Sequence, residues 1–229
     1  METPDGGTKS SAPASPETGV DEMEPLSYAT LVGREQRSQL PLAMPGQAGL
    51  PLSALDPEML ERVAAEIVRR QPNVGAYFYG RRGQKQYGLD ILERETPSRQ
   101  VVYQVKRYQV LTPEQISLAV DEYANPKPRR EGAPPPGRRF AAYKFVLVTS
   151  APFEEETALQ DTLVKLQDDY DGDLVIDVWG SERLSSLLRD NGPLVSSIFG
   201  PGWAEMFCGL APPRGPPTTL RAWAWWRTR

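Results

Sequence analysis

The run Val101-Val102-Tyr103-Gln104-Val105-Lys106-Arg107-Tyr108 is the strongest strand signal in the chain, eight residues dominated by β-branched and aromatic side chains. A strand of this kind has to be housed in a sheet. Alternation places Val102, Gln104, Lys106 and Tyr108 on one face, and Val101, Tyr103 and Val105 on the other. The second face reads as a clean core face. The first mixes polar and apolar groups, as one wall of a site does.

Helical patterns flank this strand. Asp56 is an N-cap, Pro57 takes the first helical position, and Glu58 puts negative charge at the positive end of the helix dipole. Leu60, Val63, Ala64, Ile67 and Val68 then follow helical spacing, and the helix should stop near Arg70, ahead of Gln71-Pro72. Asn73–Tyr79 and Gly88–Leu92 read as strands. After the long strand, Thr112-Pro113-Glu114-Gln115 is a capping box, and Ile116, Ala119, Val120 and Tyr123 supply a buried stripe. Phe145–Thr149 is a continuous apolar strand, expected to be central. A helix over Glu154–Tyr170, a strand over Leu174–Trp179 and a helix over Ser181–Arg189 complete the order. The pattern predicts an α/β fold in which helices cover both faces of a mixed β-sheet.

Residues 1–50 are rich in Pro, Gly, Ser, Thr and Glu with little periodicity, so they are expected to be mostly disordered, with Leu26–Val32 as a stretch able to dock. The ordered domain is expected over residues 51–209. Residues 210–229 form a Pro-rich, Trp-rich basic tail, which reads as a docking peptide or as the ragged end of a truncated or frame-shifted chain. The chain has 229 residues, 39% of them hydrophobic and 24% charged, and a mean hydropathy of -0.48. These values suit a soluble globular protein. No apolar run is long enough to span a membrane, and the start of the chain lacks a basic region followed by an apolar one, which argues against a secretory signal. Cys208 is the single cysteine, so no intrachain disulfide can form and a cytoplasmic setting is the simplest expectation.

The sequence contains no histidine. Ser-His-Asp triads, Cys-His pairs and HExxH zinc sites are therefore excluded, and one cysteine removes zinc ribbons and iron–sulfur clusters. Catalysis, if any, has to use Asp, Glu, Lys, Arg, Ser or Tyr, and a metal should be a hard, oxygen-liganded cation such as Mg²⁺ or Mn²⁺. The net charge of -4 gives no global basic signature, so a nucleic-acid partner needs a local patch.

Gly80–Tyr108 is the segment that carries chemistry. A Gly-rich basic turn delivers Asp90 to one strand, and the next strand presents Gln104 and Lys106 two residues apart on one face. Adjacent strands lie about 4.8 Å apart, so Asp90, Gln104 and Lys106 can meet at one sheet edge. Phosphodiester hydrolysis uses such a set. Carboxylate and amide oxygens hold a divalent cation that activates water, and a lysine orients that water and offsets phosphate charge. Arg81, Arg82 and Lys85 read either as phosphate contacts or as ordinary solvated charge. The basic loop Lys127–Arg139 reads as surface. Gly83 and Gly88 are assigned to turn geometry, and Tyr77, Tyr79, Tyr103 and Phe145 to the core.

Gly88-x-Asp90, a gap, then Gln104-x-Lys106 resembles the PD-(D/E)XK nuclease superfamily, in particular its Mrr-like restriction-endonuclease branch, where Gln replaces the acidic residue of the last motif. The resemblance covers roughly Leu55–Thr149 and implies a restriction-endonuclease-like three-layer fold. It implies a Mg²⁺- or Mn²⁺-dependent endonuclease acting on DNA, with the choice between DNA and RNA left open, in bacterial antiphage defence. In that branch a first-helix Glu often joins the metal site. Leu60-Glu61-Arg62-Val63-Ala64 is the matching stretch, which assigns Glu61, with Glu66 as runner-up. Asp90, Gln104 and Glu61 would then hold the metal, and Lys106 would orient or activate water. A second resemblance, over Val178–Gly209, is to the region closing the nuclease-like module of large STAND-type NTPases. It implies a defence NTPase or sensor protein as partner, and two-strand cutting implies a homodimer. The alternatives are a nucleic-acid-binding module without catalysis and a protein-interaction module of such a system.

Overall fold

The computed structural model describes residues 23–25, 40–43, 49–71, 75–79, 88–96, 99–126, 140 and 142–209. Their elements are β1 (Met23–Pro25), α1 (Pro57–Arg69), β2 (Gly75–Tyr79), β3 (Ile91–Thr96), β4 (Arg99–Lys106), α2 (Pro113–Ala124), β5 (Lys144–Thr149), α3 (Thr157–Asp169), β6 (Val175–Trp179), α4 (Ser181–Leu188), α5 (Gly192–Phe199) and α6 (Pro201–Cys208). The strands form one sheet in the order β1-β2-β3-β4-β5-β6. β1 to β4 run antiparallel as a meander, whereas β5 and β6 lie parallel to β4. The fold is α/β with a mixed sheet between two layers of helices, as the sequence pattern predicts.

Local chemistry explains where the main helices start. The Asp56 carboxylate accepts the Met59 N–H at 2.6 Å, with Pro57 in the first turn of α1. Thr112 and Gln115 close the expected capping box on α2: the Gln115 N–H donates to Thr112 Oγ1 at 3.3 Å, and the Thr112 N–H donates to Gln115 Oε1 at 2.9 Å.

Strand alternation builds two cores. On one face Ile91, Val101, Tyr103, Val146, Val148 and Trp179 pack with Leu60, Val63 and Ala64 of α1 and with apolar residues of α4, α5 and α6. On the other, Leu92, Val102, Phe145, Leu147, Ile176 and Val178 pack with Ile116, Ala119, Val120 and Tyr123 of α2 and Leu159 of α3. Every β4 residue from Gln100 to Gln104 is buried. The polar-mixed face of β4 is therefore not an open wall, because α2 covers it.

Three differences from the sequence reading have physical causes. The strand expected over Gly88–Leu92 begins at Ile91, because Gly88 takes φ 72° and turns the chain there. Within the stretch expected to be disordered, Met23–Pro25 pairs with β2, Leu40 and Ala43 pack on the α1-side core, and Trp203 donates its indole N–H to the Pro41 carbonyl at 2.9 Å. The docking stretch 26–32 lies outside the described residues. Finally, α5 and α6 follow α4 where no helix was expected. The Asn191 side chain caps α5 at the Leu194 N–H (3.4 Å), and Gly200 at φ 97° separates two eight-residue helices. Gly-Pro pairs read as breakers in sequence, yet each proline here sits in the first turn of a helix, where no N–H is needed.

Among the described residues no helix is long and apolar enough to cross a membrane. Phe145 is fully buried and stacks on Tyr123, with ring centroids 5.3 Å apart. Replacing Phe145 by Ala is expected to lower unfolding free energy by about 3–5 kcal/mol, read as a reduced midpoint in urea denaturation at unchanged slope.

Candidate functional site

The C-terminal end of β4 and the turn before β3 meet at one end of the two central strands of the sheet. Asp90 stands one residue ahead of β3 and is held by three hydrogen bonds to neighbouring strands. Its carbonyl accepts the Tyr79 N–H at 2.8 Å, its N–H donates to the Tyr103 carbonyl at 2.9 Å, and its Oδ2 accepts the Val105 N–H at 2.7 Å. The last of these ties the carboxylate to the backbone between Gln104 and Lys106. The pairing Ile91↔Tyr103 sets this register.

Gln104 is 1% exposed. Its Nε2 donates to Glu122 Oε2 of α2 at 2.7 Å, whereas its Oε1 is buried without a hydrogen-bond partner. Lys106, less buried, places Nζ 3.4 Å from the same Glu122 oxygen. Gly88 makes this packing possible. A Cβ at that position would stand 3.1 Å from the Tyr123 backbone nitrogen and 3.2 Å from Gln104 Nε2, and φ 72° is strained for other residues.

The electrostatics link these groups to α1. Burial raises the Asp90 carboxyl to about 6, the Glu122 charge adds to the rise, and the Val105 N–H and the Lys106 ammonium oppose it. Burial raises the Glu61 carboxyl to about 7, with the charges of Asp90 and then Glu58 adding and Arg62 opposing. Glu61 and Asp90 thus sense each other across the α1–sheet boundary. Glu66 has a different neighbourhood: its buried carboxylate is gripped by Arg69 at 2.7 and 2.9 Å and by Arg70 at 2.9 Å, on its own helix. The charges of Glu61 and Asp90 are coupled, whereas Glu66 sits in an ion cluster with Arg69 and Arg70 on its own helix.

Among the described residues no three carboxylates form a cage for a metal. The groups that could contribute to a cation site are Asp90, Glu61 and Gln104 Oε1, the last of which is buried without a hydrogen-bond partner. That set fits Mg²⁺, which takes one or two protein carboxylates and keeps waters or phosphate oxygens in its remaining positions. Arg81, Arg82, Gly83, Lys85 and the loop 127–139 lie outside the described residues. Tyr79, Tyr103 and Phe145 are buried core aromatics, as expected, whereas Tyr77 is only partly buried. Glu122 is the residue that sequence reading missed. On an amphipathic helix an exposed Glu after Asp121 looks like ordinary solvated charge, and only the docking of α2 on Gly88 reveals its contacts.

Comparison with family models, curated proteins and solved structures gives no match for this chain.

Two outcomes follow from this geometry. Gly88→Ala is expected to destabilise the fold by at least about 1 kcal/mol, measured by denaturant unfolding. Glu61 has a folded carboxyl near 7 against an ordinary value of 4.5. A raised acid makes the native state hold its proton longer, so stability falls as pH rises from about 4.5 to about 7 and is then level. Asp90 acts in the same direction. Glu61→Gln should therefore raise the Tm at pH 8, leave it nearly unchanged at pH 4.5, and flatten the slope between them in calorimetric scans.

Proposed function

We propose that this protein is a Mg²⁺- or Mn²⁺-dependent endonuclease that hydrolyses DNA phosphodiesters, with the site at the Asp90–Gln104–Lys106 end of the central strands. The observation that carries the reading is the meeting of a strand-anchored carboxylate, a buried amide oxygen without a partner and a lysine at one sheet end. The order helix–strand–strand–strand–helix–strand over α1 to β5 also supports it, since this is the order that the PD-(D/E)XK resemblance implies. Antiphage defence, and a defence NTPase or sensor as partner, rest on that resemblance.

Asp90, Glu61 and Gln104 Oε1 would hold the cation. When bound, the ion polarises the phosphate and lowers the pKa of a coordinated water. The chain's own groups do the rest. The Val105 N–H occupies one Asp90 oxygen and so orients the carboxylate. Lys106 sits within reach of solvent, where its ammonium can align an attacking water and offset negative charge gathering on the phosphate. Glu61 can hold a proton near neutral pH and give it up when a cation arrives, so metal affinity should rise between pH 6 and 8.

The decisive measurement is nicking of supercoiled plasmid in Mg²⁺ by wild type, Asp90→Ala and Lys106→Ala. Each variant is expected to cut at least ~100-fold more slowly while remaining folded. Equal cutting by all three rejects the assignment. RNA hydrolysis is measured in parallel. The alternative reading is a nucleic-acid-binding module without catalysis. That module would bind DNA in a salt-dependent manner and show no Mn²⁺ uptake by calorimetry.

A further inference from the structure

Glu122 has no part in the assignments above, yet its carboxylate touches both polar members of the β4 site face. Oε2 accepts from Gln104 Nε2 at 2.7 Å and from Lys106 Nζ at 3.4 Å. The two ends of a glutamine amide are not alike: the NH₂ only donates and the oxygen only accepts. An ionised carboxylate also only accepts. The 2.7 Å contact therefore exists in one orientation of the amide, with NH₂ against Glu122. In that orientation Gln104 Oε1 is turned the other way, buried and without a partner. Turning the amide half a revolution would set two acceptors against each other. Gly88 is what allows α2 close enough to enforce the choice, since a Cβ there would crowd Gln104 Nε2 and the backbone of Glu122 and Tyr123.

We propose that Glu122 is the positioning residue of the site: it locks the Gln104 amide so that its oxygen, and not its NH₂, faces the cation position. The proposal rests on the metal-dependent hydrolase reading for the identity of what Oε1 faces. It also explains how a glutamine can stand where a carboxylate would need no orientation. A carboxylate presents an acceptor at either end, whereas an amide is useful as a ligand only when its direction is imposed. Glu122 is half exposed, with a side chain 48% accessible, so its removal leaves no hole in the core.

The test separates the lock from the metal. In the metal-free protein, the Gln104 side-chain amide is followed in a proton–nitrogen NMR spectrum, assigned by its loss in Gln104→Glu. One amide proton is expected well downfield because it bonds to a charged acceptor, and Glu122→Ala should return it toward the ordinary glutamine position. An unchanged signal overturns the proposal. In Mn²⁺ titration calorimetry, Glu122→Ala should weaken binding by at least about tenfold with little change in Tm. The exchanged pair Gln104→Glu/Glu122→Gln should return affinity to near the wild-type value. Glu at 104 has an oxygen at both ends, and the new amide at 122 can donate to the nearer one. Failure of the exchanged pair to recover binding overturns the proposal and makes Glu122 itself a cation contact. Absence of Mn²⁺ binding by wild type removes the hydrolase reading and the cation half of the proposal with it, while the amide spectrum still decides whether Glu122 fixes Gln104.

Discussion

The hydrogen bond from the Val105 N–H to the Asp90 carboxylate joins two strands that the chain reaches more than a dozen residues apart. It sits where the β3–β4 ladder gives out, so a side chain takes over the role of the next ladder partner. Backbone bonds on either side of Asp90 leave that carboxylate little freedom. Every other feature of the site is placed relative to it. Gln104 and Lys106 flank the donating residue, the Glu61 charge on α1 is coupled to Asp90, and Glu122 of α2 contacts both Gln104 and Lys106. A slip of one residue in β3 against β4 would turn Asp90 to the opposite face and dissolve the set.

Both faces of the sheet are covered, and this sets the chemical character of the site. Carboxyl groups brought near an apolar core hold their protons more tightly, which is why Glu61 and Asp90 stand above the ordinary range. Two other buried carboxylates have partners. Glu66 is clamped by Arg69 and Arg70, and Glu93 accepts from the Tyr103 hydroxyl. The Asp90–Glu61 region is treated differently. Its compensating charge, Lys106, lies toward solvent, and an amide oxygen beside it has no hydrogen bond. Leaving such groups undersatisfied costs stability.

Much of the scaffold was legible because its signals are local. Caps at Asp56 and Thr112, apolar stripes on α1 and α2, and the alternation in β4 depend on residues within one or two turns of each other. Elements that depend on distant partners were not legible. Met23–Pro25 is a strand only because β2 offers an edge. The helices α5 and α6 are short and each carries Pro in its first turn, so their stability comes from burial of Leu194, Val195, Phe199 and Trp203 in the core shared with α1 and α4, not from propensity.

By itself the sequence determined the class of fold, the exclusion of histidine-containing triads, Cys-His pairs and intrachain disulfides, and the pairing of Gln104 with Lys106 on one side of a strand, because these follow from composition and from a period of two. Only the tertiary structure decided that Glu66 is clamped by Arg69 and Arg70 while the Glu61 charge is coupled to Asp90, and that Glu122 holds the Gln104 amide. Those choices depend on how α1 and α2 are rotated against the sheet. That rotation is set by core packing and by the room that one glycine leaves, neither of which is written in the spacing of the residues concerned.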